Sequence, residues 1–319
     1  MKPETFCVLL FLFISGEIFT MRFFTAAAFI LLMTNAIFGQ ANSENYRIYD
    51  AKGNAATLED IIKAVGKTDV CFLGEQHDDA TAHALEMQIF KAVFEKYGKT
   101  RRVALSMEMF ERDVQTVLDE YLKDLITETH FMSSSRPWGN YKTDYRPLIE
   151  FAKENKLDVV AANAPRRYTN MVSRLGRDSL NQLSAEAKKW LAPLPYAEAS
   201  EAYAKKFDAL MSEMSDSATP TTHSPLLASQ SLWDATMAFS ISKYLKQYKN
   251  SLIVHLNGSF HTENRLGTID HLLKYNPKAR VLVVTMRYED DFKNFDKSKH
   301  TDLGDFVILT DSKQPRSQR

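Results

Sequence analysis

Two four-residue motifs in this chain carry the residue types of metal and acid–base chemistry. Gly74-Glu75-Gln76-His77 and Gly258-Ser259-Phe260-His261 each follow a short apolar run, and each sets a histidine three residues after a glycine. Glycine permits a tight turn that returns the chain over the edge of a sheet, so each imidazole is expected near the start of the next element, over a cleft. Two imidazoles with one or two carboxylates (Glu75, and Glu108 at the end of another apolar run) suit a divalent ion with positions left for water. The expected metal ligands are therefore His77, His261 and Glu75. Without a metal, the same groups suit a general base and an electrophile. With one, the expected chemistry is a hydrolase in which Glu75 or Glu108 is the catalytic base acting on a metal-bound water. One such turn is commonplace; two, with acids at neighbouring strand ends, argue for a shared site.

The elements that must position these residues alternate in type. Val70–Leu73, Val103–Met107, Asp158–Ala162, Leu252–Leu256, Val281–Thr285 and Phe306–Leu309 are short apolar runs that read as buried strands. Helical spacing separates them, as in Ala82, Leu85, Ile89, Ala92 and Val93, closed by Gly98. The expected fold is α/β, a mainly parallel sheet flanked by helices, with a helical insertion or lid over about residues 165–225. In such sheets ligands bind beyond the carboxyl ends of the strands. Gly74, Asn163, Gly258 and Arg287 lie at those ends. Gln230 and Asp234 fall in or beside the apolar stripe of the helix from Pro225 to Tyr248, where buried polar groups need partners. All six are expected to line the cleft. His83, six residues past His77 and about 240° round a helix at about 100° per residue, is expected to miss the site. His255, mid-strand, is expected to be a core residue.

The chain has 319 residues with 40 Lys+Arg against 40 Asp+Glu, a neutral balance that argues against a nucleic-acid partner. Two cysteines, one of them in the apolar leader, exclude a disulfide framework or a Cys-based zinc site. Residues 1–39 read as a signal peptide, with a true start at Met21, Arg22 as basic flank and an apolar run ending before Gln40-Ala41. The mature domain is then 40–319, exported and periplasmic or envelope-associated, and no lipobox precedes it. The segment Arg136-Pro137-Trp138-Gly139-Asn140-Tyr141-Lys142-Thr143-Asp144-Tyr145-Arg146 reads as an aromatic, basic loop able to meet a planar anionic ligand.

Leu73-Gly-Glu-Gln-His77, Met107-Glu-Met-Phe-Glu-Arg112, Ala162-Asn-Ala-Pro165, Gln230 with Trp233-Asp-Ala-Thr-Met-Ala238, and Asn257-Gly-Ser-Phe-His261 followed by Gly267 occur in this order. With them the chain resembles the ChaN-like haem-binding uptake family of the Tiki superfamily. That resemblance implies haem as ligand, a role in bacterial haem or iron acquisition, envelope transport partners and a homodimer. It also implies, through the wider superfamily's metal-dependent peptidases, a metal-dependent hydrolase as the alternative. With haem implied, phenolate ligands become candidates: Tyr145 first, then Tyr141, then Tyr168 beside Arg166 and Arg167.

Overall fold

The computed structural model describes residues 41–214 and 224–318, so the leader and its cleavage point lie outside the described residues. Eight strands form one sheet: β1 (Tyr46–Asp50), β2 (Ala55–Ala56), β3 (Val70–Glu75), β4 (Arg102–Glu111), β5 (Asp158–Asn163), β6 (Ser251–Gly258), β7 (Val281–Glu289) and β8 (Phe306–Asp311). Their spatial order is β2-β1-β8-β7-β3-β6-β4-β5, parallel from β8 to β5, with β1 and β2 antiparallel at one edge. The fold is α/β, as the alternation of runs predicts.

The helices in chain order are α1 (Leu58–Val65), α2 (Ala80–Tyr97), α3 (Gln115–Leu122), α4 (Glu128–Ser135), α5 (Arg146–Glu154), α6 (Arg166–Leu175), α7 (Ala185–Lys188), α8 (Glu201–Met214), α9 (Pro225–Gln247), α10 (Thr268–Tyr275) and α11 (Lys297–His300). Among the described residues, none is long and apolar enough to cross a membrane. Strand side chains alternate between two covered faces. Cys71 and Leu73 pack into a core with α2 and α5, whereas Val70 and Phe72 pack with Ala238 and Ile241 of α9 and Ile269 and Leu272 of α10. Burial on both faces explains why β3 and β6 read as near-continuous apolar runs.

The connections place the site. From β3 the chain leaves through α2 on one face, and from β6 it leaves through α10 on the other. The ends of these adjacent strands, with Glu75 paired in register to Gly258, thus flank a point where the chain diverges. Ligand clefts form at such points. From Asn163 to Ser251 the described residues are helical or irregular, and α8 brings Phe207 and Leu210 back over the strand ends.

Helix α2 starts where it does because Asp79 caps it. Its carboxylate accepts from the Thr81 and Ala82 amides at 3.0 and 3.2 Å, and from the hydroxyl of Thr310 on β8. Asp79→Ala should therefore lower the unfolding free energy by about 2 kcal/mol, from loss of the cap and the stranding of a buried hydroxyl. Urea titration checks this, and a loss below about 0.5 kcal/mol would contradict the assigned capping role.

Candidate functional site

The two glycine turns are packed into each other. A Cβ on Gly258 would stand 2.6 Å from Nε2 of His77, and one on Gly74 would stand 3.0 Å from the Ser259 Cα. Each turn therefore needs glycine to admit the other turn. Left-handed backbone is not the reason: Gly258 has φ −58° and ψ 135°.

Glu75 is buried at the end of β3 and gathers the first group of side chains. Its Oε1 accepts from His77 Nδ1 at 2.7 Å and from the Tyr145 hydroxyl at 2.6 Å. Its Oε2 lies 3.4 Å from His83 Nδ1, which also lies 3.1 Å from Glu86 Oε2. Burial alone would raise the Glu75 pKa, but the nearby His83 charge and the hydrogen bond from His77 hold it well below the usual range. Burial opposes charge on His83 too, yet Glu75 and Glu86 push its pKa well up. Burial and the neighbouring Glu75 drive the Glu86 pKa well upward.

His83 thus belongs to this cluster, contrary to the helical-wheel expectation. The wheel began at His77, but α2 begins at Ala80, and the intervening turn brings His83 Nε2 within 3.2 Å of the His77 carbonyl. Glu86 was overlooked; its signal was an acid three residues after a histidine on one helix face.

The aromatic, basic segment is built inward rather than presented as a loop. Residues Tyr141–Tyr145 form a wide helical turn leading into α5. Tyr145 and Tyr141 are 0% and 1% exposed, which corrects the expectation that a loop presents them to a ligand. Burial and the nearby Glu75 push the Tyr145 pKa far up, so it remains a phenol donating to that carboxylate. The segment's arginines are already paired, Arg136 with Glu111 and Asp113 at 2.9 and 2.7 Å, and Arg146 with Glu128 at 2.5 Å. Tyr168 lies on α6 beneath the Arg167 guanidinium, packed with Leu180 and Tyr196, away from the two turns. Trp138 does reach the site, edge-on to His77 with ring centroids 4.8 Å apart.

His261 anchors the second group. Its Nδ1 is 2.8 Å from Asp234 Oδ1, and its Nε2 is 3.6 Å from Glu108 Oε1. Asp234 also accepts from Thr268 Oγ1 at 2.8 Å, and the Gln230 amide lies 3.3 Å from the ring. Gln230 and Asp234 therefore set the orientation of His261. Glu108 accepts from the Gly258 amide at 2.7 Å, tying β4 to the second turn. Burial would lower the His261 pKa, but Asp234 and Glu108 carry it up to about 9. His255 is a core residue, as expected: it meets the Ser106 hydroxyl at 2.9 Å, and burial lowers its pKa to about 3. Asn163 accepts from the Ala164 N–H through its amide oxygen at 2.9 Å, within its own turn.

Between the two groups lies a cleft of about 520 Å³, within the size range of small-molecule sites. His77, His261, Gln230 and Gly258 face it on one side, and Phe207, Leu210 and Phe260 supply apolar wall. Arg287 and Lys206, each one residue before a lining residue (Tyr288 and Phe207), share one carboxylate, Glu263, at 2.8 and 3.3 Å. The two turn histidines thus share a cleft but do not converge with Glu75 as a metal trio. Each spends Nδ1 on a carboxylate of its own, Glu75 for His77 and Asp234 for His261. Among the described residues, the trio whose ligand atoms all lie within 4.8 Å of one another is Glu75, His83 and Glu86.

Gly258→Ala should displace the His77 ring and destabilise the fold by about 1–3 kcal/mol, the usual cost of overpacking. A crystal structure of the variant with His77 unmoved would contradict this. The histidine pair also predicts a two-sided stability profile. His261, raised to about 9, stabilises fully below about pH 6.5, and that contribution is lost as pH rises through 9. His255, lowered to about 3, leaves the unfolded chain the better proton acceptor, so stability falls as pH drops from about 6.5 towards 3. Denaturation across pH checks both limbs: His261→Gln should flatten the alkaline limb and His255→Gln the acid limb.

No curated protein matches the sequence significantly. Among solved structures, the fold is similar to that of ChaN of Campylobacter jejuni, described with cofacial haem binding, at 21% identity over 85% of this chain and 98% of that one, with a TM-score of 0.62. A Bacillus cereus protein aligns at 12% identity over 83% and 94% of the two chains, TM-score 0.48. An erythromycin esterase mutant in its open conformation aligns at 9% identity over 76% and 77%, TM-score 0.43. Residues 61–272, more than half the chain and both glycine turns, match the family described as haem-binding uptake, Tiki superfamily, ChaN, and the chain belongs to that family.

Proposed function

We propose that this is an exported haem-binding protein of the cell envelope that serves haem or iron acquisition, and that haem, its cargo, seats in the cleft between the two glycine turns. The observation that carries the reading is His77. Its side chain is 25% exposed, its Nδ1 is held by Glu75, and Trp138 braces its ring, so a preorganised imidazole faces an apolar wall of Phe207, Leu210 and Phe260. Imidazole is an ordinary haem-iron ligand, and a carboxylate on its other nitrogen fixes the ring and raises its basicity. The cleft volume and the apolar wall suit a flat macrocycle. The family match supports the same cargo.

One observation favours a second reading, a hydrolase. His261 lies between Asp234 and Glu108 at the cleft, an arrangement suited to moving a proton at Nε2. In that reading Glu108 and His261 act on a bound ester or amide, and Asp234 is a positioning residue.

A Soret titration separates the two. Wild-type protein should show a saturable change, and His77→Ala should weaken it at least about tenfold, about 1.4 kcal/mol. Tyr145→Phe, Tyr141→Phe and Tyr168→Phe should leave affinity within about twofold, because none of these phenols meets the cleft. No saturable change in wild type would overturn haem binding. Ester or amide turnover lost in His261→Ala would then establish the hydrolase.

A further inference from the structure

Behind the cleft, the chain assembles a set of side chains that neither reading of the cleft employs in full. His83 and Glu86 stand about one turn apart on α2, and Glu75 meets them from the end of β3; all three are buried, and their ligand atoms lie within 4.8 Å of one another. The carboxylates are unequally satisfied. Glu75 Oε1 holds two donors, His77 Nδ1 and the Tyr145 hydroxyl, while Glu75 Oε2 and Glu86 Oε1 are buried without a hydrogen-bond partner. Buried carboxylate oxygens of this kind are retained where a proton or a cation sits between them.

The imidazole is turned to match. His83 Nε2 faces the His77 carbonyl at 3.2 Å and Asp144 Oδ2 at 3.5 Å, two acceptors that call for a proton on that nitrogen. Asp144 is itself fixed by the Asn140 amide at 2.7 Å. That leaves Nδ1 directed at both glutamates, and a carboxylate behind a histidine is the usual support of a metal-bound imidazole. One nitrogen and two carboxylates form a ligand set for a first-row divalent ion, which would balance both negative charges with a neutral imidazole. Ligands about 2.1 Å from an ion lie roughly 3–4 Å apart, so a contraction of about an ångström closes the site.

We propose that Glu75, His83 and Glu86 bind one first-row divalent cation, Zn²⁺ or Mn²⁺, in a buried site behind the cleft. The site uses neither His77 nor His261 as a ligand and does not depend on what the cleft binds. An ion held there ties the end of β3 to α2 and, through Glu75, steadies the imidazole of His77. Because the trio exists only in the folded chain, binding adds to stability.

The test uses the purified protein, stripped with chelator and then equilibrated separately with Zn²⁺ and Mn²⁺. Elemental analysis should find about one ion per chain with at least one of the two metals, together with a raised thermal midpoint. Glu86→Gln, which keeps the side chain's shape, and His83→Gln should both lose the ion and the thermal shift, while His261→Gln should keep both. Wild-type protein that takes up neither metal overturns the proposal, and so does retention in Glu86→Gln and His83→Gln. Loss in His261→Gln alone assigns the ion to the paired turns and also overturns it. If the α2 variants fail to fold, Co²⁺ decides on wild type and His261→Gln: visible bands saturating at one equivalent in both support the site, and their absence from either overturns it.

Discussion

A carboxylate placed at the buried end of a central parallel strand has to be supplied with hydrogen-bond donors and neighbouring positive charge, and Glu75 imposes that demand on much of one face of the molecule. These partners come from three separate segments: His77, a donor from the turn after β3; Tyr145, a donor from the wide turn before α5; and His83, the neighbouring charge, from α2. Each is then held by something else. Trp138 braces His77, Asp144 and Glu86 bracket His83, and the Tyr145 ring meets the His83 ring with centroids 5.0 Å apart. Linked polar groups of this kind rigidify a site because each member's rotamer depends on the others. The packing of α2 and α5 on the sheet is thus specified by polar contacts as well as by the apolar core around Leu85, Phe90 and Ile149.

Two turns of the same glycine–histidine spacing consequently do different work. The first leaves its histidine partly exposed, with one nitrogen given to Glu75. The second encloses its histidine between Asp234 and Glu108 and favours the imidazolium. Their glycines serve each other, since the open Cα of Gly258 admits the His77 ring and that of Gly74 admits Ser259. Equal spacing in sequence thus encodes reciprocal packing, and the inequality comes from the neighbours. The first turn meets the α2 face of the sheet and the second meets α9.

What was legible in the sequence follows the same division. Strands buried on both faces announce themselves as apolar runs, and the polar residues at their ends were correctly placed together at one edge. Gln230 and Asp234 were legible because polar groups in an apolar helical stripe must have partners, and His261 is that partner. His83 was not legible, because helical geometry was extended back through a turn that is not helical. The tyrosines were not legible either. A stretch rich in rings and arginines reads alike whether it faces solvent or core; what decides is that Glu111, Asp113 and Glu128, distant in sequence from the arginines they meet, neutralise them. The apolar cleft wall on α8 had no local signal, since Phe207 and Leu210 acquire meaning only when the chain folds them over the strand ends.

The distribution of charge along β6 shows how this edge keeps its reactivity at the cleft. His255 and His261 are both buried, and the charge of His261 adds to burial in keeping His255 neutral. Asp234 and Glu108, both placed at His261, decide which imidazole is charged, because among the described residues no carboxylate pairs with His255, whose partner is the Ser106 hydroxyl. A proton entering this region is therefore held at the strand end rather than inside the sheet. On the other face the Glu75 pKa is held well down and that of Glu86 is driven well up, so there too the carboxylate that favours its charge is the one in contact with the cleft histidine. Both faces solve one problem alike: the interior stays neutral where only apolar strands surround it, and charge persists only where paired side chains from helices reach the carboxyl ends of the strands.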